Sequence, residues 1–428
     1  MSRMQKYLAG IIVLAAVFFG FVIVRIGIAQ PSSTIKLAKI PQDQQLGKEA
    51  YAKAYPLEYN SFMKNNEMAP SPTGYGGSEA KHSRLEEEPE MLENFKGYKF
   101  SLEYNDDRGH TYAGEDILTS KRIPGQPGAC ITCKTPYTGK FYEEMGWKYA
   151  SKPFTELAEQ VPEDGWFACA TCHDPDTMTL RVYNQAFIEA MQRRGIDVSK
   201  ASQNEMRGYV CGQCHAEYYF DKTDKHVVFP WDKGLSAEDM YAYYAEKPGG
   251  FEADWVHPDS KTQVLKAQHP DFETWSTSVH ADMGVTCVDC HMPYMRQDGQ
   301  KYTSHFMSSP LKTIEDSCLK CHDEGKDKLI ARVKTIHDNT FKLQRTAGNT
   351  VAKAHLTVQK AMAAGATDEQ LAGAREYLRQ AQWYWDFCAA ENGVGFHNPD
   401  RIMRTLGLSI DCAHQAIEAA NAAVKGEV

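Results

Sequence analysis

Ten of the twelve cysteines in this 428-residue chain fall into five C-x-x-C pairs: Cys130/Cys133, Cys169/Cys172, Cys211/Cys214, Cys287/Cys290 and Cys318/Cys321. Random placement at that cysteine frequency gives roughly 12 × 12/428, about 0.3 such pairs, so chance does not supply the pattern. Four pairs are followed directly by histidine, in C-A-T-C-H, C-G-Q-C-H, C-V-D-C-H and C-L-K-C-H, which gives His173, His215, His291 and His322. Two thiols three residues apart can add to the two vinyl groups of one porphyrin, and the next residue then points its side chain at the iron. This is the c-type haem attachment motif. Structural zinc and exported disulfides also use paired cysteines, but neither needs a histidine straight after the second cysteine four times over. Cys388 and Cys412 lie outside the pattern, as a structural disulfide or as buried thiols.

The fifth pair reads Cys130-Ile131-Thr132-Cys133-Lys134, with lysine in place of the imidazole. A neutral amine binds haem iron only where burial and the metal suppress its protonation, a cost that a plain electron carrier has no reason to bear. The four remaining haems, if they only transfer electrons, are six-coordinate and need four more axial ligands. Of the fifteen histidines, eleven are not in a motif; composition does not say which four serve, and any of the sixteen methionines could serve instead.

The four C-x-x-C-H motifs and one C-x-x-C-K, flanked by R-G-H-T-Y, C-G-Q-C-H-A-E-Y and K-A-Q-H-P, closely resemble those of the pentahaem cytochrome c nitrite reductases, from about Gln45 to Ala423. The resemblance implies that His110 is the distal ligand of the haem at Cys211/Cys214, His305 of that at Cys169/Cys172, His280 of that at Cys318/Cys321 and His397 of that at Cys287/Cys290. No histidine is then assigned to the lysine-ligated haem, whose open side is where a substrate reaches iron. The resemblance also implies calcium beside that site, held by the Glu217 and Gln268 side chains and the backbone carbonyls of Tyr218 and Lys266. Hard oxygen ligands of this kind suit calcium. The ion would brace Tyr218 and His269 over the iron, although E-Y and Q-H on their own also read as surface dipeptides.

Arg122, in S-K-R-I-P, reads by spacing as a surface residue, and by resemblance as the active-site arginine. Nitrite is an anion and the formal net charge is -9, so a local guanidinium would supply attraction and hydrogen bonds to the substrate oxygens. The implied reaction takes nitrite to ammonium with six electrons, which four low-spin haems feed to the fifth while His269, Tyr218 and Arg122 handle protons and developing charge. The competing function is a pentahaem electron carrier without chemistry of its own, and Lys134 argues against it.

The frame that must position these residues is globular, with 42% hydrophobic and 24% charged residues, yet the mean hydropathy of -0.51 is polar for so long a chain. No Lys/Arg cluster suggests a nucleic-acid surface. Arg3 and Lys6 precede an apolar run from Tyr7 to Val24, the pattern of an export signal, so residues 1–30 are expected to be a signal peptide or membrane anchor and the rest periplasmic. The expected fold is mainly α: loops and short helices around five haems over residues 31–323, then long helices over residues 324–428. Those helices are read at about Lys326 to Ala364, Asp368 to Glu391 and Pro399 to Val424. By resemblance they form a homodimer. The apolar stripe of Leu371, Ala374, Leu378 and Trp385 suits either that interface or an intramolecular core. The resemblance also implies an electron donor, either a membrane-bound quinol-oxidising multihaem cytochrome or a soluble multihaem protein.

Overall fold

A computed structural model describes residues 38–76, 82–246 and 251–426. The export segment expected over residues 1–30 lies outside them, and no helix among the described residues is long and apolar enough to cross a membrane.

Between Gln42 and Lys320 the described residues run in short helices and 3-10 turns, none of them longer than ten residues. Three antiparallel hairpins interrupt it, pairing Tyr219–Phe220 with Val227–Val228, Trp255–Val256 with Gln263–Val264, and Tyr294–Gln297 with Gln300–Thr303. Several of the short helices are capped rather than carried by length. Ser202 and Glu205 form a capping box on Gln203–Gly212, and Thr286 and Asp289 form another on Cys287–His291. Each box satisfies two amides that a short helix leaves orphaned, which suits segments that must end on a haem-motif residue.

Three helices follow: Lys326–Ala363, Ala372–Ala389 and Pro399–Lys425. Gly365, at φ +97, takes the chain out of the first, and Pro399 opens the third with the Asn398 side chain accepting from the Arg401 amide. Their buried positions step by alternating threes and fours, as in Ala347, Val351, Ala354, Val358 and Ala361, or Ile402, Leu406, Ser409, Ala413, Ala416, Ala420 and Ala423. That is a coiled-coil seam with small residues, which lets the three axes pack closely. Gly348 continues the theme, because a Cβ there would lie 2.7 Å from the Trp385 indole nitrogen.

The stripe of Leu371, Ala374, Leu378 and Trp385 is fully buried within one chain. It belongs to the intramolecular core and is not an interface. One apolar cluster joins these helices to the haem-motif region, with Phe95 packed 5.3 Å from Trp385 and Trp231 stacked 5.5 Å from Phe272 (ring centroids). Cys388 and Cys412 are free, buried thiols on the second and third helices and do not form a disulfide. The nearest polar partners are the Ile402 carbonyl for Cys388 and the Gln380 side chain for Cys412, each at 3.8 Å.

Candidate haem and active-site cavity

The five attachment motifs sit on tight turns. In the motifs at Cys169, Cys211 and Cys318 the histidine amide donates back to the first cysteine carbonyl, at 3.0, 2.9 and 3.0 Å. The Lys134 amide instead donates to Ile131, at 2.9 Å, so the lysine motif is wound more tightly. The Lys134 carbonyl accepts from the Phe167 amide at 2.9 Å. Phe167 has φ +43, a strained value for a bulky residue that persists only where surroundings enforce it. Its ring lies 4.2 Å from that of His110, so one residue contacts both an attachment motif and a distal histidine.

The four histidine pairs implied by the resemblance stand opposite one another. Ring centroids are 5.8 Å apart for His110 and His215, 6.1 Å for His173 and His305, 6.4 Å for His280 and His322, and 6.3 Å for His291 and His397. Two metal–nitrogen bonds of about 2 Å plus the half-width of two imidazoles place centroids roughly 6 Å apart, so each gap accommodates one iron. The rings are also turned correctly. The Nδ1 atoms of His173, His291 and His305 face the carbonyls of Met178, Ser308 and Thr303 at 2.9 Å. His215 Nδ1 lies 3.1 Å from Asp271, and His397 Nδ1 is hydrogen-bonded to Glu391. A proton held on Nδ1 leaves Nε2 free to ligate.

All of these histidines except His322 line a single cavity of about 1480 Å³, above the roughly 300–1,000 Å³ of an ordinary small-molecule site. Cysteines distant in sequence are neighbours: Cys133 lies beside Cys214, and Cys211 beside Cys287. Cys290 in turn neighbours Cys318. The residues therefore fit five haems arranged close enough to pass electrons along the series.

Lys134, Arg122, Tyr218 and His269 line the same cavity. The Arg122 guanidinium stacks over Phe100 at 4.2 Å, its backbone carbonyl accepts from Lys99 at 3.1 Å, and its Nε is buried without a hydrogen-bond partner. His269 Nδ1 is likewise buried and unpartnered. Burial holds the His269 imidazole down to about 4, and burial beside the Cys133 and Cys130 thiols pushes the Tyr218 hydroxyl well up. Two buried nitrogens without partners, on residues that line one cavity, leave hydrogen-bonding capacity unused beside it.

Glu217 is fully buried behind this site. It accepts from the Gln268 amide and, at 3.1 Å, from Tyr244, while the Gln268 side chain reaches the Lys266 carbonyl at 3.5 Å. The fold thus brings together Glu217, Gln268 and the Lys266 carbonyl, with the Tyr218 peptide adjoining. Two further buried carboxylates were not visible as partners in the sequence. Glu273 accepts from the Glu217 amide at 2.8 Å and has one oxygen orphaned, and Asp254 accepts from the Lys266 amide at 2.8 Å. Burial pushes Glu217 well up, with Glu273 and Asp254 adding to the rise; burial also pushes Glu273 to about 8, helped by Asp271, and Asp254 to about 6, helped by Asp386. The buried Glu217 carboxylate, with the Gln268 side chain and the Lys266 carbonyl beside it, offers oxygen ligands of the kind a divalent cation takes.

Sequence reasoning also missed Asp271 and Glu391, and the Lys266 ammonium, which pairs with Asp386 at 2.8 Å with both side chains fully buried. Asp271 follows K-A-Q-H-P and was within reach of the motif. Glu391 carried no local signal.

Comparison with known proteins agrees with this geometry. The family model for cytochrome c552 matches residues 47–427. A cytochrome c-552 from Parabacteroides distasonis is 40% identical over 371 residues, covering 85% of this chain and 74% of the relative. The cytochrome c nitrite reductase subunit NrfA of Nitratidesulfovibrio vulgaris is 41% identical over 387 residues, covering 84% and 72%. The catalytic subunit of the Desulfovibrio desulfuricans cytochrome c nitrite reductase, whose structure is described for its two calcium sites, superposes with a TM-score of 0.84 at 36% identity, covering 89% of this chain and 87% of that one. Cavity, paired histidines and relatives together place the chain in the cytochrome c552 family, with the pentahaem nitrite reductases its motifs resemble.

Proposed function

We propose that this protein is an ammonia-forming nitrite reductase whose reactive centre is the haem held by Cys130, Cys133 and Lys134, fed by four bis-histidine haems. The observation that carries the reading is the pairing of a lysine motif with two buried, unpartnered nitrogens, Arg122 Nε and His269 Nδ1, on one cavity wall. Cys130, Cys133 and Lys134 would hold that haem, which would supply a substrate-binding iron and the redox chemistry for the six-electron reduction. The chain supplies the rest. Lys134, the residue directly after Cys133 on a tight turn, would serve as proximal ligand through its side-chain nitrogen. Arg122 binds the substrate oxygens and offsets their charge, its guanidinium plane fixed by Phe100. His269 and Tyr218 hold and deliver protons as oxygen leaves as water.

Calcium fits the cluster of the Glu217 and Gln268 side chains and the Lys266 and Tyr218 carbonyls, where it holds Tyr218 and His269 in place from behind. The division of labour follows the chain: residues 31–323 carry the haems and residues 324–428 support a homodimer. Since the apolar stripe is internal, a dimer must use exposed side chains of the long helices such as Leu356, Tyr377 and Met403. Cys321 is exposed and His322 half-exposed, which makes the haem at Cys318/Cys321 the natural entry point for a quinol-oxidising or soluble multihaem donor. Haem attachment in this class belongs outside the cytoplasm, and residues 1–30 supply the export signal for a periplasmic location, cleaved or retained as an anchor.

The test is nitrite reduction by the matured protein with a viologen donor, scoring ammonium. Ammonium stoichiometric with nitrite is expected, falling by roughly 10² or more in His269→Ala, as when a positioned acid–base group is lost. Rapid haem oxidation by nitrite with no ammonium, or a His269→Ala variant at parental rate, overturns the reading.

A further inference from the structure

Among the candidate axial histidines, the partners of Nδ1 are of two kinds. His173, His291 and His305 face neutral carbonyls. His215 and His397 face buried carboxylates. Asp271 Oδ2 lies 3.1 Å from His215 Nδ1, and Asp271 Oδ1 lies 3.8 Å from His397 Nδ1, which is hydrogen-bonded to Glu391. Asp271 is only 7% exposed and Glu391 3%. His322 also has a carboxylate, Glu324 at 3.6 Å, but both side chains are about half exposed and water screens the pair.

Backbone donors hold the two buried carboxylates in place. Asn392 donates to Asp271 through its amide at 2.8 Å and its side chain at 3.2 Å, and the Gly393 and Gly395 amides donate to Glu391 at 2.9 Å each. The segment 391–395 therefore clamps both acids against both histidines. His215 belongs to the motif of Cys211 and His397 is the candidate ligand opposite His291, whose motif begins at Cys287. Cys211 lies beside Cys287, so the two haems served by Asp271 are neighbours. The first of them also adjoins the lysine motif through Cys214 and Cys133.

An anion on the far side of an imidazole increases the donor strength of its ligating nitrogen, and in a low-dielectric interior its charge favours ferric over ferrous iron. We propose that Asp271 is a positioning residue shared by two haems, and that with Glu391 it lowers the reduction potential of the haems at Cys211/Cys214 and Cys287/Cys290 together. These are the two stations that precede the reactive haem in the chain of attachment sites. The carboxylates so increase the driving force of the last transfer to the substrate-binding iron. The electron moves between haems with no bond made or broken at Asp271.

The inference rests on the ligand assignments of the proposed function, and five haems with four low-spin signals in the parent protein test those assignments separately. The experiment is a spectroelectrochemical titration, at fixed pH, of the matured parent, Asp271→Asn and Glu391→Gln, each with haem content verified. Asp271→Asn keeps the size of the side chain but removes its charge and one of its two accepting oxygens. Two couples are expected to rise in potential, the reduced-to-oxidised ratio of each at a given applied potential increasing about tenfold, which is about 59 mV for one electron. Glu391→Gln is expected to raise one of those same two and leave the other. No shift, a single shifted couple in Asp271→Asn, or an equal shift of all five overturns the proposal. Should Asp271→Asn fail to mature, Glu391→Gln decides alone: a lack of any upward shift refutes it.

Discussion

Gly109 lies directly before His110, where even one methyl group meets the backbone of another segment. A Cβ at position 109 would sit 2.1 Å from the Asn65 carbonyl oxygen and 2.9 Å from its carbon. Ordinary contact begins at 3.4 Å, so Gly109→Ala requires a retreat of 3.4 − 2.1, or 1.3 Å. Asn65 cannot yield freely. It is buried, and its side chain donates to the carbonyls of Phe62 at 2.6 Å and His305 at 2.7 Å. A metal–ligand bond tolerates a displacement of about 0.2 Å, some sixfold less than the movement required. Either His110 withdraws from His215, or Asn65 moves and takes the His305 backbone with it. In both cases one distal ligand is lost and one low-spin haem becomes high-spin. Overpacking of this kind costs about 1–3 kcal/mol. The assay is low-temperature paramagnetic resonance of the matured variant, with a urea midpoint on the same sample. One high-spin signal beyond that of the lysine-ligated haem is expected, with a lowered midpoint. A parental spectrum with stability within about 0.5 kcal/mol of the parent would refute the reasoning, since it would show that neither histidine is held through this contact.

Lys134→His restores the ordinary attachment motif and should leave five haems bound while slowing nitrite turnover markedly, read from ammonium formation; a parental rate would move the reactive centre elsewhere. Calcium removal by chelation, or Glu217→Gln, should lower activity and be reversed by added calcium only in the parent, and full activity after verified removal would end the proposed role. His257 and His355 stack with ring centroids 3.9 Å apart, fully buried, and burial holds both imidazoles below their ordinary range. Their contribution is therefore fully present above the unfolded value of about 6.5 and is lost as pH falls from there toward the depressed folded values. His355→Asn should flatten the fall in urea midpoint between neutral and mildly acidic pH, and an unchanged pH slope counts against it.

Much of the site was written in local patterns, because haem attachment needs cysteines three residues apart and the ligand straight after them. The long helices were also legible: their ends at Ala363, Pro399 and Lys425 fall within a residue of those expected from glycine, proline and periodicity. The second was read from Asp368 to Glu391 and runs from Ala372–Ala389, because Leu371 enters through a turn. The stripe on that helix could not be assigned a partner from sequence, since the same apolar face serves a dimer or a core, and only the packing of Phe95 on Trp385 decides between them. The carboxylates behind the histidines were hidden for a different reason. Asp271 meets His215 across 56 positions and Asn392 across 121, and hydrogen bonds of that span leave no trace in periodicity.

The buried pair of Lys266 and Asp386 ties the fates of two distant segments. Asp386 accepts from the Lys266 ammonium at 2.8 Å and, through its other oxygen, from the Ala267 amide at 2.8 Å. The ammonium also lies 4.6 Å from the Phe100 ring centre and 5.0 Å from that of Phe95. Neither charge has water to turn to, so parting them leaves an uncompensated ion in the interior. The loop that carries the candidate calcium carbonyl therefore cannot open while the helix Ala372–Ala389 stays closed. Hydrogen exchange at Ala267 and along the buried turn around Asp386 should share one opening free energy, and calcium bound at the loop should slow exchange in a helix that it never touches.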